Sequence, residues 1–118
     1  MNIKNIREKI ICNLRRSIKN YRTNKNITLQ EAKQIVSNSS NAILIDVRSK
    51  QEYDEYHIDG AICIPHYEIQ SRIKKEIPNK NALIILYCQS GMRSERAMKI
   101  LLMLGYENVY HVKNGLDG

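Results

Sequence analysis

The 118-residue sequence has no apolar run near the ~20 residues that a bilayer span requires; the longest, Ala82 through Leu86 closed by Tyr87, is of strand length. No apolar stretch follows Met1, so the sequence reads as one without a secretory signal. Cysteine is scarce. Cys12, Cys63 and Cys88 are odd in number and fit no metal or disulfide spacing, which points to a reducing compartment and a cytoplasmic location. His57, His66 and His111 are scattered, with no partner at metal-ligand spacing, so neither a metal nor another cofactor is expected. Repeats and low-complexity segments are also missing. What remains is an ordinary globular balance, 42% apolar and 26% charged. Below ~150 residues the ceiling is one domain plus an arm. A chain of this size buries roughly two-thirds of its unfolded surface, enough for a core without staples.

The net charge of +7 suggests nucleic acid until its distribution is examined. Residues 1–26 hold eight basic groups against one acid, whereas the other 92 residues hold eleven of each. The chain is a neutral body, residues 27–118, behind a basic arm, residues 1–26, and the neutral body argues against a nucleic-acid protein. Within the arm, Ile3, Ile6, Ile10, Leu14, Ile18 and Tyr21 recur at steps of three and four, the stripe of an amphipathic N-terminal helix. Thr23 to Asn26 then reads as a linker. A helix laying its stripe on the body or on a second copy is the plainest use of the arm. A surface for an acidic partner or anionic lipid, a nucleic-acid contact and a transit peptide are the others. Cys12 lies off the stripe, with nothing near it that suggests chemistry.

From Thr28 onward the pattern alternates. Thr28 to Glu31 is a capping box that opens a helix to about Ser37, and Ser49 to Glu52 is a second that opens one to about Tyr56. Strands are expected at 42–47, 61–64 (stopped by Pro65), 82–87 and 108–112. Helices are expected at 67–77 and from about Arg93 to Leu104, with Gly105 at the C-terminus. Strands that are apolar throughout, alternating with helices, mean an α/β fold with a parallel sheet buried on both faces.

Ligands of such sheets bind beyond the carboxyl ends of the strands, and Tyr87-Cys88-Gln89-Ser90-Gly91-Met92-Arg93-Ser94 lies at such an end. Unpaired N–H groups and the positive pole of the following helix favour the thiolate of Cys88. A cysteine pKa lowered from ~8.5 to ~6.5 would turn a few per cent of thiolate at neutral pH into most of the population. Gly91 permits the positive φ that lets a short loop curl its amides toward one point. Arg93, and Arg96 one turn on, oppose the helix dipole at a cost of roughly 0.3–1 kcal/mol. Both are easier to explain if they face a bound anion or the thiolate. On spacing alone, an inert half-buried cysteine in a strand-to-helix turn remains the alternative.

Three ordered stretches resemble the single-domain rhodanese (thiosulfate sulfurtransferase-like) family. They are Leu44-Ile45-Asp46-Val47-Arg48 with Glu52-Tyr53; His57-Ile58-Asp59-Gly60-Ala61 running to Ile64-Pro65; and Tyr87-Cys88 through Gly91, Arg93 and Ser94 to Gly105-Tyr106 and Val109-Tyr110. Together they cover residues 28–118. The resemblance implies a rhodanese-like fold, a parallel five-stranded sheet flanked by helices, with the Cys88 loop as active site. It also implies that Cys88 takes sulfane sulfur from thiosulfate or a persulfide donor, becomes a persulfide, and passes the sulfur to a thiol, cyanide or protein acceptor. Gln89, Ser90, Gly91, Met92, Arg93 and Ser94 would form the substrate-binding loop, their amides stabilising anionic sulfur. A desulfurase or a thioredoxin-like protein would be a natural partner, with the chain a monomer or homodimer. Arg93 follows Cys88 after four residues, one fewer than in Cys-x5-Arg phosphatases, which makes phosphatase chemistry the weaker reading. A non-catalytic rhodanese-like module that docks through the basic arm is the alternative from another class, and the intact Cys88 argues against it.

By the same resemblance Asp46 and Arg48 are supporting residues, with Arg48 expected to pair with Glu52 and Asp46 to bond loop amides. His57 is expected to tie its loop to the following strand. Cys63 is read as a small buried filler, with a resolving role against Cys88 as the sharper alternative. Tyr56 stands where the family usually has Gly, and Asn114 where it has the first Gly of a pair, tolerable because Asn visits αL. A family tryptophan and C-terminal helix often follow about where Gly118 stands; the 3–22 helix is expected to cover that flank instead.

Overall fold

The computed structural model describes residues 25–118. The expected 3–22 helix and Cys12 lie outside these residues. Strands β1 (Asn26–Ile27), β2 (Ile43–Asp46), β3 (Ile62–Cys63), β4 (Ile84–Tyr87) and β5 (Val109–Val112) form one sheet in the order β1-β5-β4-β2-β3. Every pairing is parallel. Helices α1 (Leu29–Asn38), α2 (Lys50–Glu55), α3 (Ile69–Glu76) and α4 (Met92–Met103) connect the strands, with 3-10 turns at His66–Glu68 and Gly115–Asp117. The alternation expected from the sequence is therefore present, with boundaries shifted by one or two residues at most ends.

Both capping boxes form. The Glu31 amide donates to Thr28 Oγ1 at 3.0 Å while the Thr28 amide donates to Glu31 Oε1 at 2.9 Å. Ser49 and Glu52 exchange the same two bonds at 3.2 and 3.1 Å. Each reciprocal pair satisfies two of the donors that a helix start leaves open.

Residues that alternate along the strands point to opposite faces and feed two cores. Ile84 and Leu86 of β4, Ile45 of β2 and Val109 of β5 pack with Ile69 and Ile73 of α3 and Ala97, Met98 and Leu101 of α4. On the other face, Ile85 and Tyr87, Leu44, Tyr110 and Val112 pack with Ala32 and Ile35 of α1. The helical spacings behind this are plain: Ser94, Ala97, Met98 and Leu101 are the buried positions of α4, one stripe at steps of three and four. Tyr106, wholly buried, donates its hydroxyl to the Ile77 carbonyl just past α3.

Three local expectations need correction. Asn26, read as linker, is in β1, pairing in register with His111 beside Ile27 with Val112; two residues are too few to show a period. Tyr56 is extended, at φ −165 and ψ 140, a conformation open to any residue, so a glycine is not needed there. Asn114 lies at φ −107 rather than in αL, and the positive φ of 60 falls on Gly115.

Candidate active site

Strand β4 is the middle of the sheet, and its last residue, Tyr87, leads directly into Cys88. The turn to α4 is made by Gly91 at φ 103. This turns the Gly91 amide back onto Cys88 Sγ at 3.1 Å, joined by the Ser94 amide at 3.3 Å, while the Cys88 thiol donates to Ser94 Oγ at 3.5 Å and the Ser94 hydroxyl donates to the Gly91 carbonyl at 3.1 Å. Two backbone donors, one from the loop and one from the helix start, converge on a single sulfur. Cys88 is wholly buried beneath the loop.

The turn after β5 holds this loop from the other side. Leu116 N donates to the Cys88 carbonyl and Asp117 N to the Gln89 carbonyl, both at 3.0 Å. Gln89 Nε2 donates to Asp117 Oδ1 at 2.6 Å. Packing is tight enough that a Cβ added at Gly91 would lie 1.9 Å from the Lys113 carbonyl oxygen. The loop is thus clamped between β4, α4 and residues 113–117.

Asp46 and Arg48 sit at the C-terminal end of β2, beside the loop. They pair with each other rather than as expected: Arg48 donates through Nη2 at 2.8 Å and Nε at 3.1 Å to the Asp46 carboxylate, with both side chains buried. Asp46 Oδ1 also accepts the Arg48 amide at 2.9 Å, so it bonds its own turn and not the Cys88 loop. Arg48 reaches the loop instead, donating to Gln89 Oε1 at 3.4 Å and to the Tyr56 carbonyl. Burial works against the Arg48 cation, and the Asp46 carboxylate outweighs that and raises its pKa.

Glu52 is taken by Arg93 in a two-pronged ion pair at 2.7 and 3.0 Å. Arg93 thus pairs with a carboxylate from α2. Hydrogen bonding to the Arg93 guanidinium, then to Ser49, lowers the Glu52 pKa to about 2, against the opposing effect of burial. The cation at the head of α4 is neutralised this way, which explains a residue that the helix dipole disfavours.

Met92, at the first position of α4, and Ser90 are exposed on the outside of the loop. Arg96 is also exposed. His57 stacks on Tyr53 with ring centroids 3.7 Å apart, and it is Tyr53 that ties this loop to the strand, its hydroxyl donating to the Ala61 carbonyl at 2.7 Å. Cys63 is half-buried with Sγ 3.9 Å from the Arg48 carbonyl, and burial, then Asp46, pushes its thiol pKa up. Sequence reasoning missed the place of His111. Its Nδ1 lies 2.9 Å from Ser94 Oγ, one bond from the sulfur. A histidine in an otherwise apolar strand facing the active-site helix was the signal. Among the described residues, no group of three His, Cys, Asp or Glu gathers to hold a metal, and no helix is long and apolar enough to cross a membrane.

A sulfur ringed by backbone amides at the end of a central parallel strand can be compared with known proteins. Residues 28–118 match the family model described as a rhodanese-like domain. The chain is 42% identical over 65 residues to the thiosulfate sulfurtransferase PspE of Escherichia coli (strain K12), an alignment covering 55% of this chain and 62% of that one. It is 38% identical over 82 residues to a tRNA uridine(34) hydroxylase of Buchnera aphidicola subsp. Schizaphis graminum (strain Sg), covering 66% of this chain and 26% of that protein. Thus the chain spans less than two-thirds of either curated relative. Among solved structures it superposes on the human single-domain sulfurtransferase TSTD1 with a TM-score of 0.69 at 25% identity, covering 77% of this chain and 90% of that one. The sheet order, the cysteine at the end of its central strand and a family match over the described body lead to one conclusion: the chain belongs to the rhodanese-like domain family.

Proposed function

We propose that this chain is a thiosulfate sulfurtransferase that carries sulfur on Cys88. The observation that carries the reading is the pair of backbone donors on Cys88 Sγ, from Gly91 N and Ser94 N, with the Ser94 hydroxyl 3.5 Å away. Such a bowl stabilises a negative charge on sulfur without a side-chain base and without reorganising during the reaction. The likeness to PspE, named for its thiosulfate sulfurtransferase activity, supports thiosulfate as donor.

In the first step the Cys88 thiolate attacks the outer sulfur of thiosulfate. The bond between that sulfur and the sulfonate sulfur breaks, and its electron pair leaves with sulfite. Cys88 then carries a persulfide whose terminal sulfur is anionic. In the second step a thiolate, cyanide or a protein thiol attacks the terminal sulfur, and the electron pair of the S–S bond returns to Cys88. Splitting the transfer into two displacements is nucleophilic catalysis and produces ping-pong kinetics. The Arg48–Gln89–Asp117 chain of hydrogen bonds keeps the loop in shape across both steps.

Intact mass after incubation with thiosulfate tests this, wild type beside Cys88→Ser. The wild type should gain about one sulfur atom, removable by reductant, and the variant should gain none. A wild type that takes no sulfur from thiosulfate or from a persulfide donor would overturn the reading.

A further inference from the structure

The strand β5 places His111 on the same face as Val109, toward α4, with its side chain 2% exposed. Its Nδ1 is 2.9 Å from Ser94 Oγ, and Ser94 Oγ is 3.5 Å from Cys88 Sγ. The other ring nitrogen, Nε2, is buried without a hydrogen-bond partner among the described residues.

The Ser94 hydroxyl has one hydrogen and three neighbours that could take it: Cys88 Sγ, His111 Nδ1 and the Gly91 carbonyl at 3.1 Å. With Cys88 as a thiol, Sγ donates to Ser94 Oγ and the Ser94 hydroxyl donates to the Gly91 carbonyl, which also accepts the Glu95 amide at 3.0 Å; a thiolate has no hydrogen to give and is the charged, stronger acceptor. Whether the Ser94 hydrogen is free to turn to that thiolate or is drawn to the ring depends on the imidazole. Burial, partly opposed by Glu95 and reinforced by Lys99, both on α4, lowers the His111 pKa and keeps the ring neutral. A neutral ring carries one N–H. Placed on Nε2 it would be a buried donor with no acceptor, the rarer and costlier kind of orphan. Placed on Nδ1 it donates to Ser94 Oγ, and Nε2 is left as a bare acceptor. The Ser94 hydrogen is then turned away from the ring.

We propose that His111 is a positioning residue for the active-site sulfur: its Nδ1–H donates to Ser94 Oγ, which keeps the Ser94 hydroxyl hydrogen off the ring and available to the Cys88 thiolate once it forms. The inference rests on the reading of Cys88 as the sulfur carrier and assigns a remote histidine to its support. The other charges around the sulfur are already committed, Arg93 to Glu52 and Arg48 to Asp46. On the strands beside His111, Lys113 follows on β5's exit, and the Lys25 carbonyl ahead of β1 accepts the His111 amide at 3.1 Å.

Asn and Gln separate the two ring nitrogens. An Asn amide reaches about where Nδ1 stands, whereas a Gln amide reaches about where Nε2 stands. The ultraviolet thiolate signal of the full chain is titrated for wild type, His111→Asn, His111→Gln and Ser94→Ala. Subtracting the same background carrying Cys88→Ser isolates the active-site sulfur. His111→Gln and Ser94→Ala should each move the midpoint up by about one pH unit, the effect of losing one hydrogen bond to a charged sulfur. The double variant should move no further, and His111→Asn should stay near wild type. Asn and Gln variants that titrate alike, or single shifts that add in the double variant, would overturn the proposal. Thermal melts of each variant show whether the fold is kept. A wild type and variants that titrate as expected while taking no sulfur from thiosulfate would instead sink the sulfurtransferase reading and leave the role of His111 standing.

Discussion

Replacing Gly91 by alanine separates crowding at the active-site loop from backbone strain, because Gly60 supplies a control. Both glycines have φ in the left-handed region, 103 at Gly91 and 86 at Gly60. An alanine at either position takes on about 1–2 kcal/mol of conformational strain, offset by about 0.4–1 kcal/mol from the stiffer unfolded chain. At Gly60 nothing else is added, since a Cβ there has no atom within 4 Å. At Gly91 the Cβ would stand 1.9 Å from the Lys113 carbonyl oxygen and 2.8 Å from its carbon. That carbonyl belongs to backbone fixed by the Lys113 amide on the Ile27 carbonyl at 2.9 Å, so it cannot swing aside as a side-chain tip would. Overpacking of this kind adds about 1–3 kcal/mol. Gly60→Ala should therefore cost about 0.5–1 kcal/mol, and Gly91→Ala about 2–4 kcal/mol. In melting temperature these are roughly 2–5 °C and 8–20 °C for a domain of this size. Gly91→Ala should also lose sulfur loading, because the displaced amide is one of the two backbone donors on Cys88. Equal melting temperatures for the two variants, measured by circular dichroism in one buffer, would show that the close approach of residues 91 and 113 is not what holds the loop.

Other perturbations reach the supporting interactions. Because the Glu52 pKa of about 2 lies below its ordinary value, the Arg93 pair contributes fully above pH ~4.5 and is lost as pH falls toward 2. Half-exposed geometry discounts this to about 1–1.5 kcal/mol. The stability gap between wild type and Glu52→Gln, followed by urea denaturation, should therefore close over that window; a gap independent of pH would refute the pairing. Asp46→Asn leaves the buried Arg48 cation without its carboxylate and should cost about 3–5 kcal/mol, so a loss below ~1 kcal/mol in denaturant would contradict it. Tyr106→Phe orphans the Ile77 carbonyl and should cost about 1–3 kcal/mol by thermal melt, with sulfur loading intact.

What could be read from the sequence was local or periodic. Thr28 with Glu31 and Ser49 with Glu52 announce two helix starts within four residues each. The apolar runs at 42–47 and 82–87 announce buried parallel strands because both their faces are covered. Cys88, Gly91 and Ser94 were legible together because one loop carries them. Strand β1 was not, since a two-residue strand exists only through its partner β5. Nor was the partner of Arg93. Glu52 lies 41 residues away, and its three-residue relation to Ser49 had already given it a sufficient role as a cap. It performs both, accepting from Ser49 N and from Arg93 through the same carboxylate. Arg48 turned to Asp46 because two residues along an exit from a strand bring the guanidinium back over the carboxylate, which spacing by helical turns does not suggest. His111 was passed over because no chemistry lies near it in sequence; Ser94 is 17 residues away.

The order of the sheet has a consequence for how the chain is made. Strand β1 pairs with β5 alone among the described strands, so this edge waits for residues 109–112 before it has a strand to pair with. The amides that hold the carbonyls of Cys88 and Gln89 come later still, from Leu116 and Asp117. A nascent chain that has released Cys88 from the ribosome but not these residues carries the cysteine on a loop held by β4 and α4 alone. Non-local closure of this kind is slow and comes last. A chain that stops before residue 109 keeps Cys88 and the two amides that face it but lacks the clamp that holds their loop.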